Sequence, residues 1–226
     1  MYHLLGDKVH IEYLLKDGDE VAPGQIAARL LGPAETILMG ERVALNFLQF
    51  LSGIATKTRK IVELIKDYPV RVVDTRKTIP GLRWLSKYAV RVGGGANHRF
   101  NLSDGILIKD NHIKAAGSIR EAVARARRYA PHTLKIEVEV ESLSELKEAI
   151  EAGADIIMLD NMPPDKIVEA RKIAGAKVIL EASGGINEKN ILDYAKTGVD
   201  IISLGALTHS VKALDISLDL KSLKGS

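Results

Sequence analysis

Apolar positions along this chain change period twice. Residues 1–38 set short apolar runs between turn signals, with DGD and APG inside IEYLLKDGDEVAPGQIAARLLGPAETIL, which predicts hairpins. From about Glu41 the spacing becomes helical: ERVALNFLQFL places Val43, Phe47, Leu48, Phe50 and Leu51 on one broad face. Ser52-Gly53 reads as a break, followed by a second helix to about Lys66. From Val70 short buried runs alternate with amphipathic stretches, and the runs end in unusual side chains. They are VRVVDTRKT (70–78), ILIKDNH (106–112), KIEVEVE (135–141), DIIMLDN (155–161), KVILEASGG (177–185) and DIISLGALTH (200–209).

Runs near 70, 90, 106, 135, 155, 177 and 200 predict about seven strands. Polar tips recurring on strand after strand favour a parallel α/β barrel with one active rim, since an open sheet would gather them at one switch point. Ser118 with Glu121 and Ser142 with Glu145 form capping boxes, and Gly153, Gly175 and Gly198 follow their helices where positive φ is needed. GADIIMLDN (153–161) and GVDIISLGA (198–206) form a weak internal repeat, as two equivalent βα units would. ALDISLDL (213–220) returns to period two and predicts pairing outside the barrel.

Composition narrows the chemistry. The 226 residues are 46% hydrophobic and 27% charged, as in one soluble domain with a full core and a small appendage. No run approaches a membrane span and no leader opens the chain, so the expectation is cytoplasmic. Zero cysteines exclude thiolate chemistry and cysteine-ligated metals, and the six histidines form no close metal-binding pair. Net charge is only +3, yet residues 74–112 hold seven Lys/Arg against three acids. With no aromatics interleaved, the surplus points to a small acidic ligand rather than nucleic acid.

The tips divide by chemistry. Arg76, Lys77, His98, Arg99 and Lys109 would suit a ligand with several negative charges, because arginine forks carboxylates and lysine meets phosphates as a point charge. In KIEVEVE, alternation puts Glu137, Glu139 and Glu141 on one face; they either meet cations, a metal or a hydroxylated ligand, or lie in water on an edge strand. Glu139 with Asp160 suits ribose hydroxyls or Mg²⁺ bridging phosphates. ASGGI and LGAL end the last two strands, where glycine lets backbone N–H groups approach a phosphate.

The long motif DTRKTIPGLRWLSKYAVRVGGGANHRFNLSDGILIKDNHI (74–113) resembles the central signature of the quinolinate phosphoribosyltransferase family. ERVALNFLQFLSGIAT, EVEVESL, LDNM, EASGGI and GVDIISLGALTHS resemble its other hallmarks in the same order, over roughly residues 10–220. The resemblance implies a type II phosphoribosyltransferase-like α/β barrel at 45–204. It also implies a small, shortened hammerhead-like α/β domain at 1–44, to which 205–226 returns. It implies transfer of phosphoribosyl from phosphoribosyl pyrophosphate to quinolinate, with decarboxylation to nicotinate mononucleotide, using Mg²⁺ and no organic cofactor.

Carried over by motif, Arg76, Arg99 and Lys109 grip the quinolinate carboxylates, with Lys77 and His98 beside them. Lys77, Lys109, Glu139 and Asp160 form the catalytic set, and Glu139 and Asp160 hold the metal directly or through substrate or water. Ser183, Gly184, Gly185, Gly205, Ala206 and Leu207 cradle the 5′-phosphate, while Thr75 and His209 complete the rim. Arg42 reaches the neighbouring subunit's site in a homodimer or hexamer. Alternative readings are a same-fold enzyme for another acid, of molybdenum-transport-associated or nicotinate type, and a Schiff-base barrel aldolase using Lys109 or Lys77.

Overall fold

The computed structural model describes residues 1–6 and 8–222. A 3₁₀ turn at Tyr2–Leu5 precedes an antiparallel pair, β1 (His10–Tyr13) and β2 (Ala28–Leu31), in which Glu12 faces Arg29 and pairs with it at 3.3 Å. Next comes α1 (Ala34–Leu64), one unbroken helix of 31 residues, about 46 Å long. The expected break at Ser52-Gly53 does not occur. A Cβ on Gly53 would lie 2.3 Å from the Lys212 carbonyl oxygen, so this glycine admits the returning chain, at a helix cost of about 1 kcal/mol. The expected apolar face is only partly covered: Phe50 and Leu51 are half-buried, Val43, Phe47 and Leu48 are 49%, 41% and 45% exposed, and α1 buries Leu45, Ile54 and Ile61 instead.

The second half alternates strand and helix. Its strands are β3 (Arg71–Val73), β4 (Ile106–Ile108), β5 (Ile136–Val140), β6 (Ile156–Asp160), β7 (Ile179–Ser183) and β8 (Ile201–Ser203). Between them lie α2 (Arg83–Val92), α3 (Asp110–Ala116), α4 (Ile119–Tyr129), α5 (Leu143–Glu151), α6 (Pro164–Ala174) and α7 (Ile191–Ala195), and α8 (Ala206–His209) follows β8. The strand expected near 90 is instead the end of α2, because Ser86, Lys87, Ala89 and Val90 bury at helical spacing and outweigh the strand preference of the valines. Only Ala96 stands in its place, bridging to Val73.

The result is a six-stranded parallel sheet in the order β3-β8-β7-β6-β5-β4. It curls: His98, just past Ala96, reaches Glu137 of β5 and Glu181 of β7. A seam therefore separates β3 from β4, and the loop 97–105 covers it without a ladder of its own. Outward-facing Val138, Val140, Ile157, Leu159, Leu180, Ala182 and Ile202 are sealed in the core, leaving Glu137, Met158, Glu181 and Ser203 to alternate with them.

Local signals place the helices. Ser118 and Ser142 accept the amides of Glu121 and Glu145 at 3.1 and 3.2 Å, and Gly153, Gly175 and Gly198 take φ of +82°, +55° and +81°. The predicted pairing of 213–220 does not form a strand: Leu214 N–H donates to Gln49 O, and Gln49 Nε2 donates to Ile216 O at 2.7 Å. This segment is held by α1 through Gln49; the last four residues of the range predicted to return lie outside the described ones. Among the described residues no helix is long and apolar enough to cross a membrane.

Candidate active site

Register builds the site before any side chain is considered. Leu107 pairs with Glu137, so Lys109, two residues on, falls beside Glu139. Glu139 pairs with Met158 and Met158 with Glu181, forming one tier across three strands. Asp160 pairs with Ser183 in the tier above, and Val73 pairs with Ser203. Lys109 and Glu139 form a close ion pair, so part of the cationic set answers the glutamates directly. Glu141 lies outside the cluster, exposed, its amide donating to Glu145.

The cationic side gathers at the seam. Arg99 NH1 donates to Gly105 O at 2.9 Å, and burial together with the neighbouring Arg76 charge pulls its guanidinium below the ordinary arginine range. Two like charges are thus held side by side, and Arg76 Nε is buried with no hydrogen-bond partner among the described residues. That is the configuration of a preformed anion receptor. Lys77 is exposed; its carbonyl accepts Thr208 Oγ1 at 2.8 Å, and a Cβ on Gly205 would lie 3.1 Å from its Cδ and 3.0 Å from His209 Nε2. Lys77, Gly205 and His209 therefore share one patch. Thr75 Oγ1 accepts the Lys77 amide at 3.1 Å and shapes that turn.

Opposite them, Asn161 Nδ2 holds Asp160 at 2.7 Å. Asn161 takes φ of +53°, and a Cβ on Gly184 would fall 2.2 Å from its Oδ1. Only glycine allows those two tips to meet, and Gly184 and Gly185 themselves take φ of +90° and +63°. Leu207 is fully buried, so it can offer a ligand nothing beyond backbone, and its amide already donates to Leu204 O. Ala206 sits beside it, its carbonyl accepting Lys57 Nζ at 2.8 Å. Arg42 is not brought to this group: it is exposed on α1 and makes no hydrogen bond or ion pair among the described residues.

Beneath the rim, His98 and Glu137 join Glu181, the one member of this cluster that the sequence reading did not single out. His98 Nε2 is 3.1 Å from Glu137 and 3.7 Å from Glu181. Each glutamate keeps a buried oxygen, Oε1, with no partner among the described residues. Burial, then the Glu137 charge, pushes Glu181 up to about 7. His98 is pulled down by burial, but Glu137 and Glu181 outweigh that and favour a proton on the ring. Its Nδ1 meanwhile accepts the Arg99 amide at 2.8 Å, so the ring gains a second proton only by giving up that bond. A charge inside the apolar run KVILEAS was the signal for Glu181. Asp74, Lys87 and Asn97, buried and mutually bonded behind the loop, carried no comparable mark.

Residues 54–219 match the family described as Quinolinate phosphoribosyl transferase, C-terminal domain, and residues 1–52 match its N-terminal domain. This chain belongs to the quinolinate phosphoribosyl transferase family. A relative from Bacillus subtilis, named probable nicotinate-nucleotide pyrophosphorylase (carboxylating), is 54% identical over 219 residues, covering 97% of this chain and 76% of the relative. The Homo sapiens nicotinate-nucleotide pyrophosphorylase (carboxylating) is 42% identical, over 93% of this chain and 72% of its own length. Among solved structures, the Ehrlichia chaffeensis nicotinate-nucleotide pyrophosphorylase superposes with a TM-score of 0.94 at 41% identity, covering 97% of this chain and 80% of that one. NadC from Streptococcus pyogenes gives 0.91 at 49% identity, covering 95% and 76%. The parallel α/β fold is thereby that of the family's solved members.

Proposed function

We propose that this chain joins quinolinate to phosphoribosyl pyrophosphate and releases pyrophosphate and carbon dioxide, giving nicotinate mononucleotide. The observation that carries the reading is the pair Arg76 and Arg99, like charges held near each other, with the Arg76 Nε–H buried and unpartnered among the described residues. A dicarboxylate neutralises both guanidiniums at once, which a monocarboxylate does not.

The chemistry follows from the charge layout. Arg76, Arg99 and Lys109 hold the acid with its ring nitrogen toward the ribose, with Lys77 and His98 beside them. Glu139 and Asp160 lie where positive charge develops on the ribose as the bond to pyrophosphate loosens. Ser183, Gly184 and Gly185, with Gly205 and Ala206 across the neighbouring strand tip, offer the backbone cradle for the 5′-phosphate, which the buried Leu207 supports from below; Thr75 and His209 flank it. The alkylated pyridine nitrogen then stabilises the electrons left on the ring carbon when its carboxylate departs as carbon dioxide, and a proton from water completes the ring C–H bond. No covalent nucleophile and no essential general base are needed for that step.

The carboxylates fit Mg²⁺ as a substrate-borne ion. Glu139 and Asp160 are hard oxygen donors, each engaged through one oxygen only, and neither belongs to a group of three potential metal ligands. Mg²⁺ keeps waters and uses one or two carboxylates plus phosphate oxygens, and when bound it supplies neutralisation of the pyrophosphate charge.

The same reading completes the site from a second copy of the chain. Arg42 stands unpaired on α1 among exposed Leu38, Met39 and Val43, an apolar face with one charge suited to a homodimer partner. It also assigns residues 1–44 to an amino-terminal unit and 45–204 to the barrel, with α1 as the shared element, and 205–226 returning toward the former.

Nicotinate mononucleotide formation from quinolinate, phosphoribosyl pyrophosphate and Mg²⁺, run beside nicotinate as substrate, tests the reading. Arg99→Ala should raise the KM for quinolinate, and Glu139→Ala and Asp160→Ala should impair use of phosphoribosyl pyrophosphate, each by ~100-fold in kcat/KM. Unchanged kinetics in all three would overturn it.

A further inference from the structure

The seam of the barrel poses a physical problem. His98 and Arg99 lie on a loop where the sheet supplies only the bridge at Ala96, so no ladder fixes their positions. Arg99 moreover stands against the like charge of Arg76, which tends to drive the two loops apart. Something other than strand pairing must hold them.

The holding groups come from two adjacent turns of α2. Arg83 donates to Thr78 Oγ1 at 3.2 Å, to Phe100 O at 3.2 Å and to Arg76 O at 3.4 Å, touching both loops. Four residues on, Lys87 is completely buried; its ammonium pairs with Asp74 and donates to His98 O at 3.0 Å. Asp74 in turn accepts the His98 amide at 2.9 Å and Asn97 Nδ2 at 2.7 Å, and Asn97 donates to Lys87 O at 2.9 Å. The Phe100 ring covers the lysine, 5.0 Å from its Nζ. Both ends of His98's backbone are thus bonded to one neutral, fully buried pair.

We propose that α2, through Arg83 and the Asp74–Lys87–Asn97 network, is the positioning element for acid binding. It replaces the missing ladder at the seam and keeps Arg76 and Arg99 at the spacing one dicarboxylate spans. These residues touch no substrate. They act by holding the receptor open against its own repulsion, so the acid meets two arginines already in place. This rests on the reading that Arg76 and Arg99 receive quinolinate.

The test is a split between the two substrates. Arg83→Met removes the outer stitch, and the double variant Asp74→Asn/Lys87→Met removes the inner pair without leaving a bare charge in the core. Each should raise the KM for quinolinate by about tenfold, the scale of one lost hydrogen bond to a charged group, while the KM for phosphoribosyl pyrophosphate changes less than about twofold. Amide exchange should quicken in residues 97–104 and stay unchanged in β5 and β7. A folded variant with an unchanged quinolinate KM, or with both KM values raised alike, overturns the proposal. Wild-type protein that fails to turn over quinolinate overturns the functional reading instead, and exchange in 97–104 that matches wild type then overturns the positioning role by itself.

Discussion

At the amino-terminal ends of the strands, Asp155 accepts the Ile136 amide at 2.8 Å and Arg127 at 2.9 Å, while Arg127 also donates to Gly153 O. Asp200 repeats the arrangement with the Leu180 amide at 2.8 Å and with Arg171, which donates to Gly198 O. In the barrel interior below the carboxyl rim, Glu137 and Glu181 each keep a buried oxygen with no partner among the described residues, and Arg76 beside that rim keeps its Nε. Both regions are rich in charge, but the amino-terminal one has closed its hydrogen bonds, while the interior that opens on the carboxyl rim has left several open. Closed valences stabilise the fold, whereas open ones lower stability and are available to a ligand. The internal repeat of GADII and GVDII thus has a structural meaning. Its glycine carbonyl and its aspartate form one clasp, made twice.

Lys109→Met probes the open end and should have the largest effect. Removing the cation beside Glu139 should lower kcat/KM by ~100-fold, with the melting temperature within about 2 °C of wild type, because the ammonium is nearly half exposed. Asp200→Ala probes the closed end. It strips the Leu180 amide and Arg171 of their acceptor and should cost about 1–3 kcal/mol, or roughly 2–12 °C for a chain of this size, with KM values unchanged. Thermal melts and steady-state kinetics on both variants decide the matter. If Asp200→Ala shifts KM, or Lys109→Met unfolds the protein, the two ends are not separable in this way.

The closed end was more legible in sequence than the open one. The glycine–aspartate repeat and the serine caps are local signals, and they fold where spacing puts them. The rim was legible as residue types at strand ends, and register brings Lys109 to Glu139 and Asp160 to Ser183. Long-range packing defeated the local reading elsewhere. Gly53 reads as a breaker unless Lys212 is known to pass above it, and YAVRV reads as a strand unless Lys87 is known to bury against Asp74. The role expected of Arg42 has no local counterpart, because no hydrogen bond or ion pair meets it among the described residues.

Titration offers the finest separation of the two ends, because their signs oppose. For Asp155, burial acts upward, but the Ile136 amide and Arg127 outweigh it and hold the carboxyl below its ordinary value. Its contribution to stability is therefore present above that value and is lost as pH falls through the depressed one. Glu181 runs the other way. Burial and Glu137 raise it from 4.5 to about 7, so its contribution is complete below 4.5 and is lost as pH rises through about 7. His98, Glu137, Ser203 and Lys109 are the groups that face it. Glu181→Gln keeps the shape and removes the charge that burial resists. The wild-type stability should fall between about pH 4.5 and about 7 by an amount on the order of 1 kcal/mol, about 2–4 °C in melting temperature, and the variant should lose most of that slope. Asp155→Asn should flatten only the acid limb. A slope between about pH 4.5 and about 7 that survives Glu181→Gln would mean that the buried carboxyl is already charged there, and that the open interior costs the fold less than its unpartnered oxygens imply.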